Sequence, residues 1–201
     1  MSCEGPNTTK REQILQAALD TIYEKKISGA NLREIASRAG MSQGHLHYYY
    51  PSKQALYLDL LDYLLECFVE ERRDVLLSSE ARPLLKLSFF LKQKTDVIQR
   101  KKEMDVFVDF WVQGTNDPEI QEKIQGLYDR WREDIATVVE EGVQSGLFST
   151  KYAGLIPPLL VSLMDGAALQ YLIDGQAFDL EEYFSAAYEM VLGLLIKPLS
   201  A

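Results

Sequence analysis

Residues 31–53, NLREIASRAGMSQGHLHYYYPSK, leave room for two short helices, a tight turn and the start of a third helix. Asn31 stands three residues before Glu34, a capping-box variant with Asn in place of Ser or Thr. Leu32, Ile35, Ala36 and Ala39 then recur at helical spacing. Gly40 ends that helix, because glycine tolerates the left-handed conformation favoured at helix ends. Ser42 caps the next helix, expected over 43–50, and Pro51 stops it. Ser52 caps another. Ala36, Ala39 and Gly40 are small enough to let the two short helices cross closely, and Leu46 is an apolar anchor for the second. Gln43, Gly44, His45, His47 and Tyr48 are left for its outer face.

The rest of the chain reads as helix throughout. Ile14, Ala17, Ala18 and Ile22 make an apolar stripe on a first helix that starts at Thr8 or Thr9 and ends near Lys25. The helix after Ser52 is expected to run to about residue 77, with Leu56, Leu60, Tyr63, Leu64 and Cys67 along its seam. Further helices are expected over 83–101, 102–113, 118–145, 154–174 and 179–197. Pro83 and the Pro157-Pro158 pair suit first turns, where no intrahelical N–H is needed. Asn116 or Asp117 caps the helix that Gly146 ends. The expected fold is all-α with about nine helices. Its N-terminal three-helix domain spans residues 1–55. A continuous fourth helix joins it to a helical domain over residues 56–201.

Charge is divided along the chain. Residues 1–55 hold seven Lys and Arg against five Asp and Glu, whereas the whole chain is at −9. The acidity belongs to the C-terminal part, which duplex DNA would repel. No run of about 18 apolar residues predicts a membrane span. The N-terminus has no apolar signal centre, and Cys3 and Cys67 have neither disulfide-framework nor metal spacing. A cytoplasmic, membrane-independent protein is expected. The only histidines are His45 and His47, whose i,i+2 spacing puts them on different sides of a helix without a local Cys, Asp or Glu. No metal, cofactor or catalytic residue is assigned. The chain shows no phosphate-cradling glycine loop and no nucleophile elbow, so an enzyme is not expected.

Two short helices in this order are what a DNA-reading helix-turn-helix needs, with the second helix in the major groove and the first fixing its angle. Lys53 opens the following helix, where its charge and the free N–H groups can meet a phosphate. At this point the chain resembles the TetR family of transcriptional regulators. The resemblance rests on Ile14 with Ala17-Ala18, Ile35-Ala36 with Ala39-Gly40, and Ser42, Gly44, Leu46, Tyr49-Tyr50 and Ser52-Lys53. It is close over about the first 60 residues. Farther on it continues in helix count and in the runs EEGVQSGLFS and LLVSLMDGAALQYLID.

The resemblance implies base-edge contacts from Gln43, His45 and Tyr48. It implies phosphate contacts from His47, Tyr49, Lys53, Asn31 and Arg33. His47 and His45 depart from the tyrosine and small residue common in the family, which bears on the sequence read rather than on the mode of docking. Tyr50 is expected in the core. The family's effector pocket between the later helices would involve Phe89, Phe90, Phe107, Asp109, Phe110, Trp111, Tyr128, Trp131 and Met164. An inward, unpaired Asp105 or Asp109 would favour a cationic effector.

A monomer reads too few base pairs, so a homodimer is expected. One stripe for it is Leu155, Leu159, Leu163, Ala167 and Tyr171, and a second is Tyr183, Ala187, Met190, Val191 and Leu194. The expected partners are a palindromic double-stranded DNA operator, a small-molecule effector and a second copy. The expected activity is repression relieved by the effector. The alternative is a helical protein-interaction or small-molecule-binding module without DNA binding.

Overall fold

The computed structural model describes residues 9–69 and 81–196. Among the described residues there are nine α-helices and no strand. They are α1 Lys10–Gly29, α2 Leu32–Arg38, α3 Gln43–Tyr49, α4 Lys53–Val69, α5 Pro83–Gln99, α6 Lys101–Gln113, α7 Pro118–Gln144, α8 Ile156–Ile173 and α9 Leu180–Leu195. The expected helices are all present and, apart from the far end of α4, their ends fall within a few residues of those read from the sequence. The continuation of α4 toward residue 77 lies outside the described residues.

Local chemistry sets the helix ends. Thr9 makes a full capping box, with its hydroxyl accepting from the Glu12 N–H and its own N–H donating to the Glu12 carboxylate. At α2 only half of the expected box forms. The Asn31 side chain accepts from the Glu34 N–H at 3.0 Å, but the Glu34 carboxylate pairs with Lys25. Ser42, Ser52, Asp117 and Asp179 cap α3, α4, α7 and α9. Pro83 and Pro157-Pro158 lie in first turns, as their missing N–H requires.

The chain forms two compact units that do not follow its order. The first contains the chain up to Val69 and Lys101–Ile124, and the second contains Glu70–Arg100 and Gln125–Ala201. A division at residue 55 or 56 follows the linear order of the motifs, whereas the compact units place α6 with the N-terminal helices. The core of the first unit is Ile14, Leu15, Ala18 and Ile22 of α1, Ile35 of α2, Leu46 of α3, Leu56 and Leu60 of α4, and Val106 and Phe110 of α6. Each such leucine or isoleucine stabilises the fold by roughly 1.5–3 kcal/mol on burial.

The core of the second unit is Phe90 and Leu91 of α5, Leu127 and Ile135 of α7, Leu160 and Met164 of α8, and Phe184, Val191 and Leu195 of α9. Gly142 is required there, since a Cβ would fall 2.0 Å from the Phe148 ring. Among the described helices, α8 has the length and apolar composition to cross a membrane. Its Ile156, Leu160, Val161, Met164 and Ala167 are instead buried in the second unit.

Candidate nucleic-acid interface and interior polar site

The turn between α2 and α3 is built on Gly40, whose φ of 67° lies in the left-handed region that glycine adopts without strain. Met41 N–H donates to the Ala36 carbonyl at 2.9 Å and Gly40 N–H to that of Ser37, closing the helix end. Leu46 is fully buried and fixes α3 on the core. Its neighbours Gln43, Gly44, His45, His47, Tyr48 and Tyr49 are all exposed, Tyr48 by 84%. His45 and Tyr48 each pack against the Tyr49 ring, at 5.5 and 5.6 Å between centroids. Asn31 and Arg33 are exposed at the start of α2. The residues expected to meet DNA are therefore exposed polar and aromatic side chains on and beside a helix that Leu46 anchors.

Two interactions brace that surface. Tyr50 is buried, as expected, and its hydroxyl donates to Asp59 at 2.5 Å. Asp59 also accepts two bonds from Arg11, at 2.9 and 2.5 Å. Burial pushes the Asp59 carboxyl up, but the bonds from Arg11 and Tyr50 outweigh it and hold the group below the usual carboxylate range. Arg38 donates to the Glu24 carboxylate through both terminal guanidinium nitrogens.

Lys53 is half-buried rather than extended into solvent. Its Nζ donates to the Ile27 carbonyl at 3.2 Å and lies 5.1 Å from the centre of the Tyr57 ring. An ammonium has three N–H donors, so the Ile27 bond does not exhaust its capacity for a phosphate. The carbonyl it holds belongs to an unusual joint at the end of α1. Lys26 adopts φ 63° and ψ 166°, a conformation that costs a side-chain-bearing residue about 1–3 kcal/mol.

Helix α6 clamps that joint. Asp105 pairs with Lys26 at 2.5 Å, Asp109 accepts from the Ile27 N–H at 2.7 Å, and Lys102 pairs with Asp20 at 2.6 Å. Beside the joint, burial pushes the Tyr57 hydroxyl well up, and the nearby Asp109 charge adds to it. The Tyr57 oxygen is buried with no hydrogen-bond partner. The condition for a cationic effector at Asp105 or Asp109 is not met, because both carboxylates serve α1.

The residues expected in an effector pocket divide between the units. Phe107 stacks edge-on against Phe68, Phe110 against Tyr57, and Trp111 is 40% exposed, all in the first unit with Asp109. Phe89, Phe90, Tyr128, Trp131 and Met164 lie in the second. There the sequence reading missed a central residue. Lys94 is buried, with its Nζ 3.5 Å from the centre of the Trp131 ring and 5.5 Å from that of Phe90. Tyr128 meets Trp131 edge-on at 5.9 Å. Burial pushes the Asp165 carboxyl up, and a Tyr128 hydrogen bond and the Lys94 charge only partly offset that. A lysine in the apolar stripe Leu87, Phe90, Leu91, Lys94 and Ile98 was the signal available in the sequence.

The expected dimer stripes need correction. Ala167, Ala187 and Val191 are buried inside the second unit, because each helix must keep one side for its own core. Leu163, Tyr171, Tyr183 and Leu194 are half-buried, and Tyr183 donates to the Leu163 carbonyl. Leu159 and Met190 are exposed, as are Leu155, Leu169 and Ile173, the last by 91%. Ser162 is exposed and Gly166 half-buried, so Leu159, Ser162, Gly166, Leu169 and Ile173 make an outward row on α8 at alternating spacings of three and four.

Comparisons with known proteins bear on both units. A family model for bacterial regulatory proteins of the tetR family matches residues 14–60. A second, for the C-terminal part of BetI-type transcriptional repressors, matches residues 86–195. The HTH-type transcriptional regulator RutR of Escherichia coli (strain K12) is 33% identical over 90 residues, which is 45% of this chain and 42% of RutR. The match thus spans less than half of that relative. The HTH-type transcriptional regulator BetI of Cronobacter sakazakii is 26% identical over 186 residues, covering 88% of this chain and 86% of BetI. A TetR transcription regulator from Haloarcula marismortui has the same fold, with a TM-score of 0.83 at 23% identity over 92% of this chain and 98% of that one.

Proposed function

Since the chain belongs to the TetR family of transcriptional regulators, we propose that it is a cytoplasmic repressor without enzymatic activity, which holds a palindromic operator as a homodimer and leaves it when a small organic effector binds. The observation that carries this reading is α3, whose buried Leu46 anchors the helix while Gln43, Gly44, His45, His47, Tyr48 and Tyr49 are all left exposed. Gln43, His45 and Tyr48 are assigned to base edges. His47, Tyr49, Lys53, Asn31 and Arg33 are assigned to phosphates, which position the protein without carrying sequence information.

A second copy is assigned to the outward row on α8 together with Ala186, Met190 and Gly193 on α9, all three exposed. An added Cβ would meet nothing at Gly166 or Gly193, so both positions are open to a partner helix. Two copies would place two reading helices about one DNA turn apart, roughly 34–36 Å. An effector can then displace the protein only by as much as it prefers a state with a different separation. The clamp of α6 on the Lys26–Ile27 joint is a place where such a preference can reach the reading helix, because it sets the end of α1 and, through Ile27, Lys53.

Selection from random duplex DNA followed by footprinting tests this reading. Two protected half-sites, related by a dyad and about 10 base pairs apart between centres, are the expected result. Absence of any sequence-selective duplex binding would overturn it. Sedimentation gives an independent check, in which Ile173→Glu should yield monomers.

A further inference from the structure

The second unit has a cavity of about 270 Å³ in the seam between α5 and α9. Ser88, Leu91, Lys92 and Thr95 of α5 line it at positions i, i+3, i+4 and i+7. Glu181, Phe184, Ser185 and Tyr188 of α9 line it at the same spacing. Such a face is the one by which a helix packs on its neighbour, and it is ordinarily apolar. Here each face has one aliphatic or phenyl side chain, Leu91 or Phe184, and both are buried. Serine at 88 and at 185 is too short to fill the seam, which leaves it open where a core would be close-packed. The Tyr188 hydroxyl donates to the Leu84 carbonyl at 3.0 Å. Glu181 and Thr95 share the same cavity, so the two helices run in opposite directions along it, with Glu181 toward the Thr95 end.

Thr95 is buried, and its hydroxyl has no hydrogen-bond partner. An unsatisfied buried hydroxyl costs stability, which a ligand recovers by supplying the bond. Lys92 and Glu181 line the cavity from opposite helices, and both are exposed. Among the described residues neither has an ion-pair partner. We propose that this cavity binds a small zwitterion of the α-amino acid type. Its carboxylate meets Lys92, its ammonium meets Glu181 and the Thr95 hydroxyl, and its short apolar side chain lies on Leu91 and Phe184. A ligand with one charge leaves the other side chain without a complement, so both charges together are favoured. The volume is just under the roughly 300–1,000 Å³ of pockets that take drug-sized molecules, which suits a small metabolite. Such binding stands whether or not it releases DNA, so it goes beyond the repressor reading and fails separately from it.

Calorimetric titration of the full-length protein with three related probes tests the proposal. L-valine carries both charges, isovalerate lacks the ammonium, and isobutylamine lacks the carboxylate. L-valine should bind, and each of the others should bind on the order of fivefold more weakly or worse, the loss of one partly exposed charged contact. Lys92→Gln should weaken L-valine but not isobutylamine, whereas Glu181→Gln should weaken L-valine but not isovalerate. Ser185→Leu should abolish binding by filling the cavity, and it should melt no lower than the wild type because Ser185 is exposed. Thr95→Val separates a ligand-binding hydroxyl from a structural one. Losing an unpaired hydroxyl should leave the empty protein as stable or more so, while L-valine binds less tightly. No binding of L-valine, equal binding of a probe with one charge, or undiminished binding by Ser185→Leu would each overturn the proposal. So would a Thr95→Val protein that melts lower and binds L-valine like the wild type. Loss of operator binding by the wild type would sink the repressor reading alone, and the titrations would still decide this site.

Discussion

Lys53 and Lys94 each place an ammonium over an aromatic ring, one in each compact unit, and they differ in burial and in what surrounds them. Lys53 is half-buried, 5.1 Å from the Tyr57 ring, and bonded to a backbone carbonyl at the edge of an exposed reading face. Lys94 is buried, 3.5 Å from the Trp131 ring, inside a helical core. A cation–π contact at an exposed site contributes about 0.5–1 kcal/mol, against about 2 or more once desolvated. The first lysine can therefore exchange its partner for a phosphate at small cost, while the second is held by its buried surroundings. The units work in opposite ways, one by presenting side chains and the other by enclosing them.

The comparison breaks most visibly at the anchors. Leu46→Ala removes a fully buried side chain from the only buried position of α3 and should cost about 2–5 kcal/mol. Denaturant melts should show it, and operator affinity should fall with it. His45→Ala, one residue earlier and exposed, should change stability by no more than about 0.5 kcal/mol while still altering which operators are bound. If His45→Ala melted like Leu46→Ala, the reading face would be part of the core and the contrast would fail.

Lys53→Ala sharpens the comparison at the next level. It should weaken binding to all DNA sequences alike, and lower the slope of log affinity against log salt by about 0.9, the value for one phosphate contact. An unchanged slope would assign Lys53 to the Ile27 carbonyl alone. The matching change in the second unit, Lys94→Met, should leave the salt slope where it is, because a buried ammonium neutralises no phosphate.

The turn, the caps and the buried face of this region were legible in the sequence because each is local. Gly40, Ser42, Leu46 and Tyr50 stand where the structure has them, since backbone geometry and helical spacing fix such positions within a few residues. What escaped depends on contacts between distant segments. Asp109 was read as a pocket residue, but it caps the Ile27 N–H from 82 positions away. Ala167, Ala187 and Val191 were read as interface because a stripe has the same spacing whether it faces its own core or a partner. Lys94 was passed over because a lysine within an apolar stripe reads as a surface residue until its counter-charge and aromatic face are known.

A smaller effect concerns pH. The Asp59 carboxyl is held below its usual range despite partial burial, by bonds from Arg11 and Tyr50. Its folded value is below its unfolded one, so it adds stability above the unfolded value and loses it as pH falls through the folded one. Acid titration of stability should show a wild-type decline that Asp59→Asn lacks, with the two curves converging at the acid end. Parallel curves would mean that the Arg11–Asp59–Tyr50 cluster does not brace the reading helix.

The smallest expected effect is the most diagnostic for the joint behind Lys53. Lys26 has both a strained backbone and an ion pair with Asp105, and the two are separable. Lys26→Ala keeps the strain and loses the pair, whereas Lys26→Gly loses the pair and relieves the strain. The pair is half-exposed on the lysine side, so its loss should cost at most about 1 kcal/mol. Relief of the strain is worth about 1–3 kcal/mol, less about 0.5–1 for the greater freedom of unfolded glycine. The glycine variant should therefore melt above the alanine variant and close to the wild type. Equal melting of the two would show that the joint stores no strain. The α6 carboxylates would then hold a relaxed chain end, and α6 would lose its leverage on Lys53.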